Sequence, residues 1–145
     1  MKIQVRTLAP ALAVLFFLTA GAQWSNAQIT NPIRAHVDHS FVIGDKTLPP
    51  GEYTFRMTGN SDQSLMVASS ENGKAAAQFP VRQSVDEHRP NHSELVFRRY
   101  GNTEFLSKIY EAGSRNGVSI TETSKEEARL VSQGQHGLEH SEEQP

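Results

Sequence analysis

Cysteine is missing from all 145 residues of this chain. The absence excludes disulfide bonds, catalysis by a thiol and zinc ligation by thiolates. A domain without such cross-links must be stabilised by an ordinary hydrophobic core. The 118 residues that follow residue 27 are enough for one such core, so we expect a single domain.

The sequence also lacks an excess of positive charge, since 14 lysines and arginines stand against 16 aspartates and glutamates. A nucleic-acid-binding surface needs a basic footprint that neutralises phosphates, so we expect no nucleic-acid partner. Glycine-rich phosphate loops and a glycine-flanked serine nucleophile are missing as well. The sequence therefore predicts no cofactor and favours a protein that is not an enzyme.

The main apolar run, residues 8–22, is shorter than the roughly 20 residues that cross a bilayer. It follows Lys2 and Arg6, and small residues ending at Ala27 come after it. We therefore predict a cleavable signal peptide over residues 1–27, no transmembrane segment after cleavage, and a periplasmic or extracellular protein. An uncleaved anchor is the alternative. Cleavage removes two basic residues and no acidic residue, which takes the formal net charge from −2 to −4.

From residue 34 onward, apolar and polar side chains alternate as they do in half-buried strands. The apolar positions of the first segment are Ala35, Val37, Phe41 and Ile43. A Pro-Pro-Gly bend then precedes a second alternating segment at residues 53–57. Both patterns predict strands with one face on the core.

Two hairpins are predicted around tight-turn dipeptides. Asn72-Gly73 favours a two-residue turn that pairs Met66 with Phe79. Gly101-Asn102 favours a similar turn that pairs Arg99 with Glu104 and Phe97 with Leu106. Both faces of this second hairpin carry apolar residues, so we expect a cover on each, such as a barrel interior on one side and a helix on the other.

Ser124 and Glu127 have the spacing of a capping box, which predicts a short helix that ends near Ser132. Residues 133–145 contain a single leucine among polar residues, and this composition predicts a disordered tail.

These segments together predict an all-β fold. Residues 28–33 are expected to form an N-terminal arm. Residues 34–132 are expected to form an antiparallel small barrel or sandwich of about seven to eight strands, with the helix at its end.

Residues 41–55 read Phe-Val-Ile-Gly-Asp-Lys-Thr-Leu-Pro-Pro-Gly-Glu-Tyr-Thr-Phe. Residues 95–102 read Leu-Val-Phe-Arg-Arg-Tyr-Gly-Asn, and Phe-Leu-Ser-Lys-Ile follows at residues 105–109. Together they resemble a family of small, uncharacterised, secreted bacterial β-domain proteins. The resemblance covers roughly residues 41–117. It implies export and a β fold, and it carries no activity, ligand or catalytic residue.

Candidate metal ligands occur at His36, Asp38 and His39, since imidazole and carboxylate groups bind zinc. On a regular strand His36 and Asp38 point to one side and His39 to the other, so the three converge only where the strand is distorted. A polar strand face is the alternative. His88 or His92 is a candidate for a further ligand.

Candidate ligand-binding residues are Tyr100, Tyr110 and Arg98, because exposed tyrosines stack on sugars or peptides. Core or rim packing of the tyrosines is the alternative. The sequence favours an exported, non-catalytic β module that binds a small ligand, a glycan or another envelope protein. The alternative function is a metal-dependent hydrolytic or redox enzyme that uses His36 and His39.

Overall fold

The computed structural model describes residues 29–58, 64–71 and 75–145. The residues of the predicted signal peptide lie outside these ranges. The described residues form β1 (Ile33–Val37), β2 (Phe41–Ile43), β3 (Lys46–Leu48), β4 (Gly51–Thr58), β5 (Ser64–Ser69), β6 (Ala75–Val85), β7 (Glu94–Tyr100), β8 (Thr103–Tyr110), β9 (Asn116–Ile120), α1 (Lys125–Ser132) and β10 (Leu138–Glu143).

Strands dominate the structure, and the all-β prediction is confirmed. The strand order is β1-β4-β5-β6-β9-β8-β2-β3, and β7 joins β8 and carries β10 on its other edge. The expected antiparallel barrel or sandwich of seven to eight strands is wrong in detail, because the described residues form an open, mixed sheet of ten strands. β2 and β8 run parallel. The count rises because residues 38–40 interrupt the first predicted strand and β3 and β10 are added.

One strand, β6, belongs to both halves of the sheet. Its first residues pair with β5 up to Pro80, and its last residues, from Val81, pair with β9. Pro80 has no N–H to contribute to a ladder, so it fits the point where the strand changes partner. Its carbonyl accepts hydrogen bonds from the backbone N–H and the hydroxyl of Thr121.

The main core lies on the inner face of the sheet. β1 alternates between buried and exposed residues as predicted, with Ala35 and Val37 inside and Arg34 outside. Tyr53 and Phe55 from β4 are also buried. This alternation confirms the predicted inner faces of both segments.

The β7–β8 hairpin has the predicted register, with Arg99 opposite Glu104 and Phe97 opposite Leu106. The register shifts between Val96 and Phe97, so Ser107 is an extra residue in β8. Because of this bulge, Leu106 and Ile109 both join the main core instead of pointing to opposite faces.

The outer face of this hairpin has its own small core, formed by Val42, Tyr100, Phe105 and Leu130. Leu130 belongs to α1, so the helix covers the second apolar face as expected. The predicted N-cap is confirmed, since the N–H of Glu127 donates to Ser124 Oγ at 2.9 Å.

The β5–β6 hairpin differs from its predicted register by one residue up to Val67 and by two residues at Ala68, because the register shifts between them. Phe79 pairs with Leu65, not with Met66. This register places Leu65 and Val67 fully inside the core together with Phe79. A one-residue slip would turn these side chains toward solvent, so burial decides the pairing.

Both chain ends of the domain are more ordered than the sequence predicts. Leu138–Glu143 forms β10, which pairs along β7, so the predicted disordered tail is corrected to an edge strand. Its order comes from a backbone ladder and polar side-chain contacts rather than from apolar burial. In the predicted N-terminal arm, Ile29 and Ile33 are buried, and the backbone N–H of Thr30 donates to Glu111 Oε2 at 2.9 Å.

Candidate functional site

The structure does not bring the predicted metal ligands together. His36 Nδ1 lies 2.6 Å from Glu52 Oε1 on β4, whereas His39 Nε2 lies 2.8 Å from Glu142 Oε1 on β10. Asp38 between them is exposed. Within residues 29–58, 64–71 and 75–145, no group of three or more His, Cys, Asp or Glu side chains is arranged to hold a metal ion.

The predicted further ligands, His88 and His92, are exposed in the connection between β6 and β7. They belong to no such group. Three other histidines, His36, His39 and His140, each pair with one carboxylate.

Tyr100 and Tyr110 do not form an exposed platform, because they retain only 7% and 2% of their exposure. The ring of Tyr110 lies on β9 at Gly117, where a Cβ atom would come within 2.5 Å of it. Its hydroxyl forms a 3.0 Å hydrogen bond with that of Ser84. Gly117 on β9 therefore leaves room for the Tyr110 ring of β8, whose hydroxyl reaches Ser84 on β6.

Tyr100 and Arg98 meet a buried carboxylate on α1. Glu127 Oε1 lies 2.9 Å from Arg98 Nε and accepts a hydrogen bond from the Tyr100 hydroxyl at 3.4 Å. Burial, followed by the nearby charge of Glu127, raises the pKa of Tyr100. Both residues thus anchor the helix to β7.

Arg98 also lines a cavity on the outer face of the sheet, which we call the basic cavity. Its volume is about 470 Å³. The polar residues that line it are Arg82, Gln83, Ser84, Arg98, Ser107, Lys108 and Ser119.

Four neighbouring strands build the floor of the basic cavity. Arg82 on β6 pairs with Ser119 on β9, which pairs with Lys108 on β8, and Lys108 pairs with Val96 on β7. Cross-strand partners lie on the same face of a sheet, so these side chains form one row. Arg82 Nε donates to Ser119 Oγ at 3.3 Å within this row.

The bulge at Ser107 also affects the geometry of the basic cavity. The Ser107 hydroxyl donates to the Val96 carbonyl at 2.9 Å and is almost fully buried. The extra residue bends β8 beside Arg98, and a bulge commonly re-aims neighbouring side chains in this way.

The electrostatic character of the basic cavity is positive. None of the described residues that line it is a carboxylate. Arg98 pairs with Glu127 on α1, and Lys108 Nζ lies 3.0 Å from Glu139 Oε1 on β10. Arg82 is exposed, and its hydrogen bond within the row goes to a neutral hydroxyl. The arrangement can therefore attract an anion and donate several hydrogen bonds to it.

A second cavity, of about 370 Å³, lies between β2, the β7–β8 turn and the start of α1. Its charged lining residues are Asp45 and Glu126. Asp45 Oδ1 accepts the backbone N–H of Lys125 at 2.8 Å, and Glu126 pairs with Arg129 at 2.5 Å. These carboxylates already stabilise the helix, so the basic cavity is the better candidate.

Of the charged residues that line the basic cavity, Arg98 was among the residues predicted from the sequence, whereas Arg82 and Lys108 were not. Arg82 and Ser84 alternate on the outer face of β6, and this alternation was the available signal. The pairing of β6 with β9, and the bulge at Ser107, have no comparable signal in the sequence.

Comparisons of this chain with protein-family models, with curated proteins and with solved structures find no match. The likeness to secreted bacterial β-domain proteins thus stays a prediction. Across the part of the chain that the structure describes, no helix is both long and apolar enough to span a membrane.

Proposed function

We propose that this protein is an exported, non-catalytic β module that binds a small anionic ligand, an acidic saccharide, in the basic cavity. The observation that carries the proposal is the row of Arg82, Ser119 and Lys108, with Arg98 beside it, in a concavity whose described lining has no carboxylate.

The donor groups suit a carboxylated sugar. A guanidinium presents a planar pair of N–H donors that matches a carboxylate, and an ammonium adds a point charge. The hydroxyls of Ser84 and Ser119 can exchange hydrogen bonds with sugar hydroxyls. The Tyr110 ring packs against Gly117, and its hydroxyl is hydrogen-bonded to Ser84. We therefore expect this wall of the basic cavity to keep its shape when a ligand binds.

Export supports the choice of ligand class. A basic n-region, an apolar run and small residues up to Ala27 favour cleavage before Gln28. Saccharides with carboxylate groups belong to the chemistry of cell envelopes and their surroundings. Mass spectrometry of protein recovered from an expressing bacterium tests this part, because we expect a chain that begins at Gln28. An intact N-terminus would contradict export by cleavage.

Binding is tested by calorimetry with a trisaccharide of uronic acids and a neutral trisaccharide of the same length. We expect heat of binding with the acidic sugar only, and weaker binding at high salt because screening reduces the charge attraction. Arg82→Gln should weaken binding about tenfold or more, since a hydrogen bond to a charged group is worth roughly 1.5–3 kcal/mol.

Arg34→Gln is the matched control, because Arg34 is also exposed but lies on β1, away from the cavity. Equal loss of binding in both variants would contradict a site at the basic cavity. Equal binding of the acidic and the neutral sugar would contradict recognition of the anionic group.

A further inference from the structure

The C-terminal strap, which we define as residues 138–144, is attached to the domain almost entirely by polar contacts. Leu138 is its one large apolar residue, and it is 71% exposed. The other positions of β10 are glutamate, histidine and serine. Hydrophobic burial, the usual source of docking energy, therefore contributes little here.

The strap lies across the seam between β1 and β7, the two strands that it joins. It pairs with β7 through a backbone ladder, from Leu138 opposite Arg99 to Glu143 opposite Glu94. On the β1 side the contacts come from side chains. The N–H of His36 donates to Gln144 Oε1 at 2.9 Å, and Gln144 is 3% exposed.

Two histidine–carboxylate pairs hold the middle of the strap. His39 Nε2, on the turn after β1, lies 2.8 Å from Glu142 Oε1 of the strap. His140 Nε2 of the strap lies 2.9 Å from Glu104 Oε2 on β8. The rings of His39 and His140 both pack on Phe97, with centroid distances of 5.1 and 5.8 Å.

The strap, β8 and β7 each place charged groups near His39. The strap contributes Glu142 and His140, β8 contributes Glu104, and β7 contributes Arg99, which pairs with Glu104. The two carboxylates favour the imidazolium form of His39, and Glu142 contacts it directly.

We propose that the strap is a pH-dependent device, which closes the seam while His39 is protonated and detaches from the domain as His39 loses its proton. The change removes the positive charge from the His39–Glu142 pair. On the β1 side this leaves the neutral hydrogen bond between the His36 N–H and Gln144, and little apolar burial is present to replace the lost attraction.

The direction of the pH dependence follows from the contacts. Burial lowers the pKa of His39, but the hydrogen bond with Glu142, the contact with the Ser40 carbonyl and the charges of Glu142 and Glu104 outweigh it, so the pKa is raised. A raised pKa means that the folded, docked form binds the proton more tightly. The contribution is fully present below the ordinary pKa of about 6.5 and is lost as pH rises through the raised value.

Detachment would have two consequences at the surface. It exposes the backbone N–H and C=O groups of the β7 edge, which can then pair with another extended chain. It also separates Glu139 from Lys108 and so adds a free ammonium to the basic cavity. This second consequence rests on the proposed function, whereas the strap itself does not.

Spin labels test the strap in the full exported chain. Because the chain has no cysteine, Arg34→Cys with Ser141→Cys places one label on β1 and one on the strap. Electron–electron double resonance on samples frozen at pH 5.5 and pH 8.5 gives the distance between them. We expect one narrow distance at pH 5.5 and an added longer, broader population at pH 8.5. The ratio of the two populations should change by about tenfold for each unit by which docking raises the pKa of His39.

His39→Gln in the labelled chain should remove this pH response, and His92→Gln, in an exposed loop, should keep it. Circular dichroism monitors folding. If His39→Gln does not fold, Glu142→Gln serves in its place, because it removes the charge of the partner and should flatten the response. An unchanged distance distribution between the two pH values would overturn the proposal, as would a response that persists in the folded variant. Saccharide binding is not measured here, so failure of the strap leaves the proposed ligand untouched.

Discussion

The Tyr110 ring lies against Gly117 so closely that a Cβ atom at residue 117 would come within 2.5 Å of the ring Cδ1. The same atom would also collide with the backbone carbonyl of Ile109. β8 and β9 thus approach each other at a distance that only glycine permits. The wall of the basic cavity depends on this contact, because the Tyr110 hydroxyl also holds Ser84.

Gly117→Ala should therefore destabilise the protein by about 1–3 kcal/mol, the usual cost of overpacking. Urea unfolding followed by circular dichroism measures the effect. Gly51→Ala is the matched control in another strand, because a Cβ atom there would be no closer than 3.8 Å to the Tyr53 ring. Comparable destabilisation by both substitutions would show that the tight contact at residue 117 is not the cause.

Glu127→Gln should loosen α1 from the sheet, because Glu127 is the buried partner of Arg98 and Tyr100. Loss of hydrogen bonds to a charged group predicts a decrease of about 1.5–3 kcal/mol in the free energy of unfolding. The neighbouring Glu126→Gln removes an exposed pair with Arg129, which solvent screens, and should change the free energy of unfolding much less. Chemical denaturation of both variants compares the two carboxylates, and equal effects would contradict an anchoring role for Glu127.

Glu104 should make the protein sensitive to acid. Burial opposes ionisation of Glu104, but hydrogen bonds from His140 and Arg99, together with their charges, outweigh it and lower its pKa. The folded state therefore binds this proton less readily than the unfolded state. The stabilisation is present above the unfolded pKa and is lost as pH falls through the folded pKa.

The free energy of unfolding should accordingly fall between about pH 5 and pH 3, and Glu104→Gln should make this decline shallower. Denaturation at a series of pH values measures the slope. Glu87→Gln, in an exposed connection, is the control and should leave the slope unchanged. The same slope in Glu104→Gln and in the unmodified protein would refute the assignment.

Glu139→Gln should strengthen binding of the uronic-acid trisaccharide if the proposed function is correct. The substitution frees Lys108 from its 3.0 Å ion pair beside the basic cavity. We expect an increase in affinity of about threefold to tenfold at low salt, which shrinks at high salt. Calorimetry is the measurement, and Glu143→Gln, on the same strand, is the control of equal charge. An equal gain in both variants would point to net charge instead of Lys108.

Local patterns in the sequence predicted much of the fold. Alternation identified the inner faces of β1 and β4, and Gly101-Asn102 set the register of Arg99 with Glu104. Ser124 marked the start of α1. Each of these features depends on residues that are close together in the chain, so a short window of sequence contains the physical cause.

The candidate site depends on residues that are far apart in the chain. Arg82 and Lys108 lie in one row only because Ser119 on β9 pairs with both of them. The burial of Tyr100 required knowledge of where Glu127 and Leu130 would dock. β10 was not predicted for a similar reason. Its polar residues are ordered by pairing with β7 and by side-chain contacts such as the one between Glu142 and His39. The local sequence of residues 138–143 does not indicate these contacts.

The shared strand β6 affects how the protein unfolds. Its residues pair with β5 up to Pro80 and with β9 from Val81, so each half of the sheet contains only part of this strand. Unfolding of one half would remove an interior strand from the other half. We therefore expect both halves to unfold in a single cooperative step. We expect that neither of the two fragments produced by a protease cut beside Pro80 folds on its own.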